Sequence, residues 1–298
     1  MRLRDDVEAM SRGWRWGRKP LLPESVTGDK TSPRGLSTSL RGPLGSGARD
    51  VIQSALLAPL LNFELDRRIH GLEWLDSVEP PVVFAANHSS HLDAPVILTS
   101  LPRTWRRRSA VGAASDYFFD VGWRAFATAL VFNGFPVERK GRLRGTKLAG
   151  GLLDDGWSLI LFPEGTRSRD GWMGDFRPGA ALIAVMKGVP VVPVALAGTY
   201  AAMPRGKSWP VSGRPAVTVR FGRAMRAADG EGARDFNNRI RRQVSVLLNE
   251  GRTTWWDALR RDADGDLDEG PDPGAAQWRR VWEATRPPSG PPRAWPGR

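Results

Sequence analysis

The segment Asn87-His-Ser-Ser-His-Leu-Asp93 puts an imidazole and a carboxylate at His88 and Asp93, directly behind the apolar run PVVFAA at 81–86. The chain has only three histidines, and two of them are here. A tight turn between His88 and Asp93 brings the two side chains together. The carboxylate then holds one ring nitrogen and fixes the tautomer, and the other nitrogen is left to accept a proton. An imidazole titrates near pH ~6.5, so the pair reads as a general base aimed at a hydroxyl. The competing reading makes Asp93 the N-cap of a helix opening at Ala94-Pro95-Val96, with His88 bonded to a backbone carbonyl. His91, close to Asp93 in sequence, is expected to point elsewhere in the turn. No G-x-S-x-G elbow occurs, so Ser89 and Ser90 are expected to order the turn rather than to act as nucleophiles. A zinc site is not expected, because His88 and His91 have only His70 left as a third imidazole and the chain has no cysteine.

Three further polar clusters follow apolar runs. SLILF at 158–162 runs into PEGTRSRDG, which carries Glu164, Gly165, Thr166, Arg167 and Arg169. Glycine lets backbone approach a ligand, and arginine offers a planar fork to phosphate oxygens. GFPVERKG places Arg139 and Lys140 in the same way. GVPVVPVAL sets Pro190 and Pro193 on a strand, which predicts an edge or a bulge. AMPRGKS, ending at Ser208, imitates a P-loop, but Ala201 stands where its first glycine belongs and WPVSGRP cannot open the required helix. Arg205 and Lys207 are therefore surface charges or contacts for a phosphate headgroup. DADGDLDEG, from Asp262, has Leu267 where a calcium loop needs glycine, and reads as a solvated acidic linker.

Positioning these clusters requires strands that end at one edge of a sheet. Strand-like runs at 81–86, 109–113, 158–162, 190–196 and 216–221 alternate with helical runs around 94–101, 121–131, 143–155 and 176–187. The pattern predicts an α/β fold with a mixed, mostly parallel central sheet flanked by helices, whose ligand sits at the carboxyl ends of the strands. Residues 51–68 read as an N-terminal helix kinked at Pro59, and 235–248 as an amphipathic helix with Phe236, Ile240, Val244 and Leu247 on one face. The expected organisation is a basic, loosely packed arm over 1–50, a catalytic domain over 51–250 and a Trp/Pro-rich tail over 251–298.

The chain of 298 residues carries a formal charge of +12 and a pI near 11.0, which favours anionic partners. The first residues lack the apolar core of a secretory signal, and no run of about 18 apolar residues is present to span a bilayer. VIQSALLAPLLNF at 51–63 is too short to span; it lies in a bilayer surface or packs on the core. Trp105 beside Arg106–Arg108, and Trp14 and Trp16 among basic residues, suit an anionic membrane face.

Taken in order, the four clusters resemble the blocks of the glycerolipid acyltransferase family, whose best-known member is 1-acylglycerol-3-phosphate acyltransferase. N-H-x-x-x-x-D is matched by Asn87, His88 and Asp93, and G-x-x-x-x-R by Gly134 to Arg139. F-P-E-G-T-R-S stands intact from Phe162 to Ser168, and V-P-V-x-P-V matches Val189 to Val194. The resemblance covers about residues 70–225. It implies an O-acyltransferase in which His88 deprotonates the acceptor hydroxyl and Asp93 orients it. Arg139 would bind the acceptor phosphate. Glu164, Gly165, Thr166 and Arg167 would shape and charge the acceptor site, and Pro193 would help form the acyl-chain side. No metal or prosthetic group is implied; an acyl-CoA or acyl carrier protein thioester is the co-substrate. The implied acceptor is a lysophospholipid, foremost 1-acylglycerol 3-phosphate, with glycerol 3-phosphate, a glycolipid or a lyso-aminolipid as alternatives. Many relatives carry a lysine where this chain has AASDYFFD at 113–120, which leaves the acceptor open. The implied location is cytoplasmic, peripheral on the inner face of an anionic membrane. The rival from another class is a nucleic-acid-binding protein, but the basic residues are scattered and form no recognised module.

Overall fold

The computed structural model describes residues 41–114, 130–137, 144–207 and 209–267, all within one compact unit, Gly35–Arg298. Residues 1–40, most of the helix expected over 121–131, Arg139 with Lys140, and the tail beyond 267 lie outside the described residues.

The described strands are β1 (Asp66–His70), β2 (Val83–Ala86), β3 (Ser109–Ala114), β4 (Phe135–Val137), β5 (Ser158–Leu161), β6 (Val191–Ala197) and β7 (Ala216–Phe221). They form one seven-stranded sheet in the order β1-β7-β6-β2-β5-β3-β4. Every neighbouring pair is parallel except β6 with β7. β2 and β5 are buried along their whole length, as strands covered on both faces must be. Phe84, Ile160, Val192 and Val194 pack with Val96, Ile97 and Leu61 on one side of the sheet. Ala85, Leu159, Leu161 and Ala195 pack with Phe236, Ile240 and Val244 on the other.

The helices are α1 (Pro43–Val51), α2 (Ala58–Glu64), α3 (Asp93–Ser100), α4 (Arg103–Arg107), α5 (Arg144–Asp154), α6 (Gly179–Lys187), α7 (Thr199–Ala202), α8 (Ala233–Glu250) and α9 (Trp255–Asp264). Two boundaries differ from the sequence reading. The N-terminal helix begins at Pro43 rather than 51 and ends at Glu64, and 66–70, expected to continue it, is strand β1. The expected arm boundary at residue 50 thus falls inside a helix. Asp50 is buried there and paired to Arg103 at 2.5 Å and to Arg106 at 3.4 Å. Pro59 does not simply kink the helix. A π-helical turn over Ile52–Leu57 joins α1 to α2 immediately before it. The wider turn absorbs the ring that would otherwise strike a carbonyl one turn back. At the other end α9 folds back on α8: Thr254 caps it by accepting from Asp257 N, and Arg242 of α8 pairs with Asp262.

The proline of β6 also departs from expectation. β6 is not an edge; it lies between β2 and β7. The bulge is on the chain facing it. Val194 pairs with Phe221 in the ladder, while Val191 bridges Met225, so 222–224 carries one residue more than 192–193. Pro193 faces that irregular stretch, where no ladder donor is needed, and accepts from Gly222 N at 2.8 Å.

Candidate active site

β2, β5 and β6 are parallel, so the loops that follow them leave at one edge of the sheet. His88 and Asp93 meet in the first of these loops. His88 Nδ1 lies 2.7 Å from Asp93 Oδ2. Asp93 is fully buried and is the first residue of α3, but it does not cap that helix. Its Oδ2 instead accepts from the backbone N–H groups of Ser89 at 2.7 Å and Ser90 at 2.8 Å. The carboxylate thus gathers the turn behind it and holds the imidazole in the same act. An ionised carboxylate is acceptor-only, so Nδ1 carries the proton in the neutral ring and Nε2 is the basic nitrogen. The His88 side chain keeps a fifth of its surface exposed, and its ring stacks on Phe162 with centroids 4.2 Å apart.

Asn87 fastens the turn to the sheet. Its Nδ2 donates to Leu196 O at 2.9 Å and its Oδ1 accepts from Leu196 N at 2.8 Å. The side chain thereby continues the β2–β6 ladder one step past the strand. The two serines order the turn, but through the loop after β6 as well as locally. Ser89 Oγ and Thr199 Oγ1 are 2.9 Å apart, and Ser90 Oγ donates to Met203 O at 2.8 Å. Gly198 opens that loop at φ +87, where an added Cβ would meet Ala216 O at 2.1 Å. Only glycine lets the chain pass β7 so closely.

The loop after β5 is bonded to the histidine turn through the backbone. Glu164 Oε1 accepts from His88 N at 2.7 Å, its Oε2 accepts from Gly174 N at 3.1 Å, and Ser168 N donates to His88 O at 2.7 Å. Glu164 is buried, and burial pushes its carboxyl up to about 8 against the pull of the His88 and Gly174 amides. The expectation that it charges the acceptor site is corrected: both its oxygens are used on backbone amides, and it is a strut behind His88. Gly165, at φ +70, closes the turn by donating to Phe162 O, and an added Cβ there would stand 3.2 Å from Arg177 Nε. Thr166 is exposed and Arg167 half-buried at the open side of the loop. Arg139 lies outside the described residues; β4, which precedes it, ends at the same sheet edge. Pro193 is not at the site. It is buried in β6 opposite Ala85, on the side of the sheet that α8 covers.

A family model described as Acyltransferase matches residues 66–197. Over these residues the chain is similar to acyltransferases. The chain is 38% identical over 140 residues to a 1-acyl-sn-glycerol-3-phosphate acyltransferase of Chlamydomonas reinhardtii, covering 47% of this chain and 41% of that one. It is 38% identical over 106 residues to the Pseudomonas aeruginosa protein of the same name, covering 33% of this chain and 38% of that one. It thus spans about two-fifths of the length of these relatives. Among solved structures, the 1-acyl-sn-glycerophosphate acyltransferase PlsC of Thermotoga maritima is 27% identical with a TM-score of 0.51, over 64% of this chain and 74% of that one.

His91 is half-buried two positions before Asp93. Its pKa is lowered to about 4 by burial and by the charges of Arg167, His88 and Arg205, against the pull of Asp93. Glu164's backbone contacts were invisible because a bond from a side chain to an amide leaves no residue-type signature on the donor. No group of three His, Cys, Asp or Glu that could hold a metal occurs among the described residues.

Proposed function

We propose that the protein transfers a fatty acyl group from an acyl thioester to the hydroxyl of a lysophospholipid, foremost 1-acylglycerol 3-phosphate. The observation that carries this reading is the His88–Asp93 pair, tautomer fixed and Nε2 free of any hydrogen bond among the described residues. The acceptor hydroxyl gives its proton to Nε2 as its oxygen attacks the thioester carbonyl. The tetrahedral adduct collapses, the C–S bond breaks, and the thiolate takes the proton back from the imidazolium. Asp93 stabilises that imidazolium and keeps the ring in place. No step requires a metal or a covalent enzyme intermediate; the energy of transfer comes with the thioester, on CoA or acyl carrier protein.

A lipid acceptor calls for a membrane, and one surface suits it. The helix running from α1 through the π turn to α2 is inverted: Arg49, Asp50 and Gln53 face the protein, while Leu44, Val51, Leu56 and Phe63 are 64–91% exposed. We assign this face to the bilayer interface, on a membrane whose anionic lipids meet the basic chain, which corresponds to a peripheral enzyme on a cytoplasmic face. Among the described residues no helix is long and apolar enough to cross a membrane.

The test is His88→Ala in the full chain, offered lyso-lipids and labelled acyl-CoA, with products identified by mass. Transfer is expected to fall by at least about 10³-fold, with an unchanged melting temperature. A folded variant that kept near-wild-type turnover would refute the assignment.

A further inference from the structure

We propose that Arg205, Lys207, Trp209, Val211 and Arg214, in the loop between α7 and β7, form a second contact with an anionic bilayer surface, between the apolar helix face and the catalytic turn. The lipid partner rests on the acyl-transfer reading; the bonds and exposure of the loop do not.

The loop is fixed at both ends. At its start, Met203 O accepts from Ser90 Oγ of the catalytic turn at 2.8 Å. Val211 N donates to Ala202 O at 2.8 Å, which closes the stretch between them into a compact surface loop. At its end, Pro215 O accepts from Asp66 N at 3.1 Å, and Arg214 Nη2 donates to Asn62 O, in α2, at 3.1 Å. Arg214 makes that bond from the left-handed conformation, at φ +51, which a long side chain keeps only where its surroundings require it. Asn62 adjoins Phe63, which is 76% exposed on the helix face assigned to the bilayer. The loop therefore runs from the turn that carries His88 to the helix that carries Phe63.

What the loop turns outward suits a headgroup region. Trp209 is 56% exposed and Val211 39%, with Arg205, Lys207 and Arg214 exposed beside them. No ion pair among the described residues uses these three cations. A solvated cation on a surface is ordinary; a large ring held in water among cations is not. Residues 176–228 contain no Asp or Glu. Of the two acids at the α2 junction, Asp66 pairs with Arg68 at 3.3 Å and Glu64 is half-buried. An indole has an apolar body and one polar edge, and Lys and Arg lay their stems on apolar surface while their heads reach the phosphates. An acidic protein would also satisfy the cations. The bilayer is favoured because the patch continues into the apolar helix face, and because lysine is depleted in protein interfaces. With both contacts seated, a lipid acceptor leaves the bilayer beside the turn that holds His88.

The experiment has two arms. The chain has no cysteine, so Val211→Cys gives a single labelling position. The full chain, carrying a polarity-sensitive fluorophore there, is mixed with vesicles of equimolar phosphatidylcholine and phosphatidylglycerol, with phosphatidylcholine vesicles, or with acyl carrier protein. Emission is expected to shift to the blue, and quenching by aqueous iodide to fall, on the anionic vesicles alone. A label unmoved by anionic vesicles that bind the chain would overturn the contact. A label moved by the carrier protein instead would make the loop a protein-docking surface and overturn it too. In the second arm, Lys207→Glu with Trp209→Ser is expected to lower partition onto the anionic vesicles about tenfold or more. Transfer to a long-chain 1-acylglycerol 3-phosphate held in those vesicles should fall with it, while transfer to a short-chain, water-soluble homologue and the melting temperature stay unchanged. An equal loss with both acceptors would place these residues in the catalytic site and overturn the proposal. A moved label with no wild-type transfer to any lyso-lipid would remove the reading of function and keep the contact. Transfer with an unmoved label would remove the contact and keep the function.

Discussion

The behaviour of single residues at the site is set by what their oxygens are already bonded to. Asp93 is the case where two sequence readings competed, helix cap against imidazole holder, and the carboxylate turns away from its own helix to Ser89, Ser90 and His88. Glu164 is the opposite case: a carboxyl expected at the ligand that is spent on the backbone of His88 and Gly174. Its raised pKa makes the protein's stability depend on pH in a defined direction. The folded state binds the Glu164 proton more tightly than the unfolded chain does. Stability from this group is therefore full below the ordinary value of 4.5 and is lost as pH rises to about 8. His91 acts with opposite sign, because its folded pKa is depressed, but its window closes at the ordinary 6.5. Between pH 6.5 and 8 Glu164 acts without that opposition, and unfolding free energy is expected to fall by about 2 kcal/mol. Glu164→Gln should start about 1–2 kcal/mol lower, from its lost bond to Gly174 N, and then stay flat. Urea titrations at the two pH values read both effects; a wild type equally stable at both would show that Glu164 titrates normally.

At the scale of elements, legibility followed burial. β2, β5, β6 and β7 declared themselves because their apolar runs are demanded by a covered sheet. β1 and β4, the two edges, did not. Asp66-Arg-Arg-Ile-His70 carries no apolar alternation because its outer residues face solvent, so it read as the end of a helix. Phe135-Pro-Val137 is three residues with a proline, tolerable only at an edge. The site was legible by the same logic: His88 and Asp93 share one turn, so spacing alone could pair them. Glu164 and His88 are joined across loops by the sheet's order, which residue spacing does not encode. The bulge facing Pro193 is likewise a two-strand property, and it can be tested. A Cβ on Gly222 would stand 2.8 Å from Pro193 Cγ and 3.0 Å from Leu247 Cδ1. Gly222→Ala is therefore expected to destabilise the fold by about 1–3 kcal/mol, as overpacking does. Thermal melting measures it, and an unchanged midpoint would mean that the bulge yields freely.

On the scale of the whole molecule, the inverted helix and the basic charge have to be considered together. A surface helix ordinarily buries its apolar stripe; here Arg49, Asp50 and Gln53 are buried alongside Leu61 and bonded inward. Gln53 Nε2 donates to Val131 O at 2.6 Å, Arg49 Nε donates to Leu130 O at 2.9 Å, and Asp50 pairs with two arginines. Such inward bonds fix the helix's rotation, so the apolar face is held outward rather than left there by default. An uncompensated apolar face in water is unfavourable, and a bilayer interface removes that cost while a net charge of +12 draws the chain to anionic lipid. The two contributions separate experimentally. Leu56→Asp with Phe63→Asp removes two large apolar side chains, worth about 1.5–3 kcal/mol each on burial, and adds two charges of the wrong sign. Partition onto anionic vesicles should fall by about 10²-fold or more, with the melting temperature in solution unchanged because neither side chain packs inside. Raising salt on the wild type should weaken binding without abolishing it, since screening leaves the apolar contact intact. Full loss of wild-type binding in salt, or unchanged partition of the double variant, would assign the attachment to charge alone and leave the apolar helix without this role.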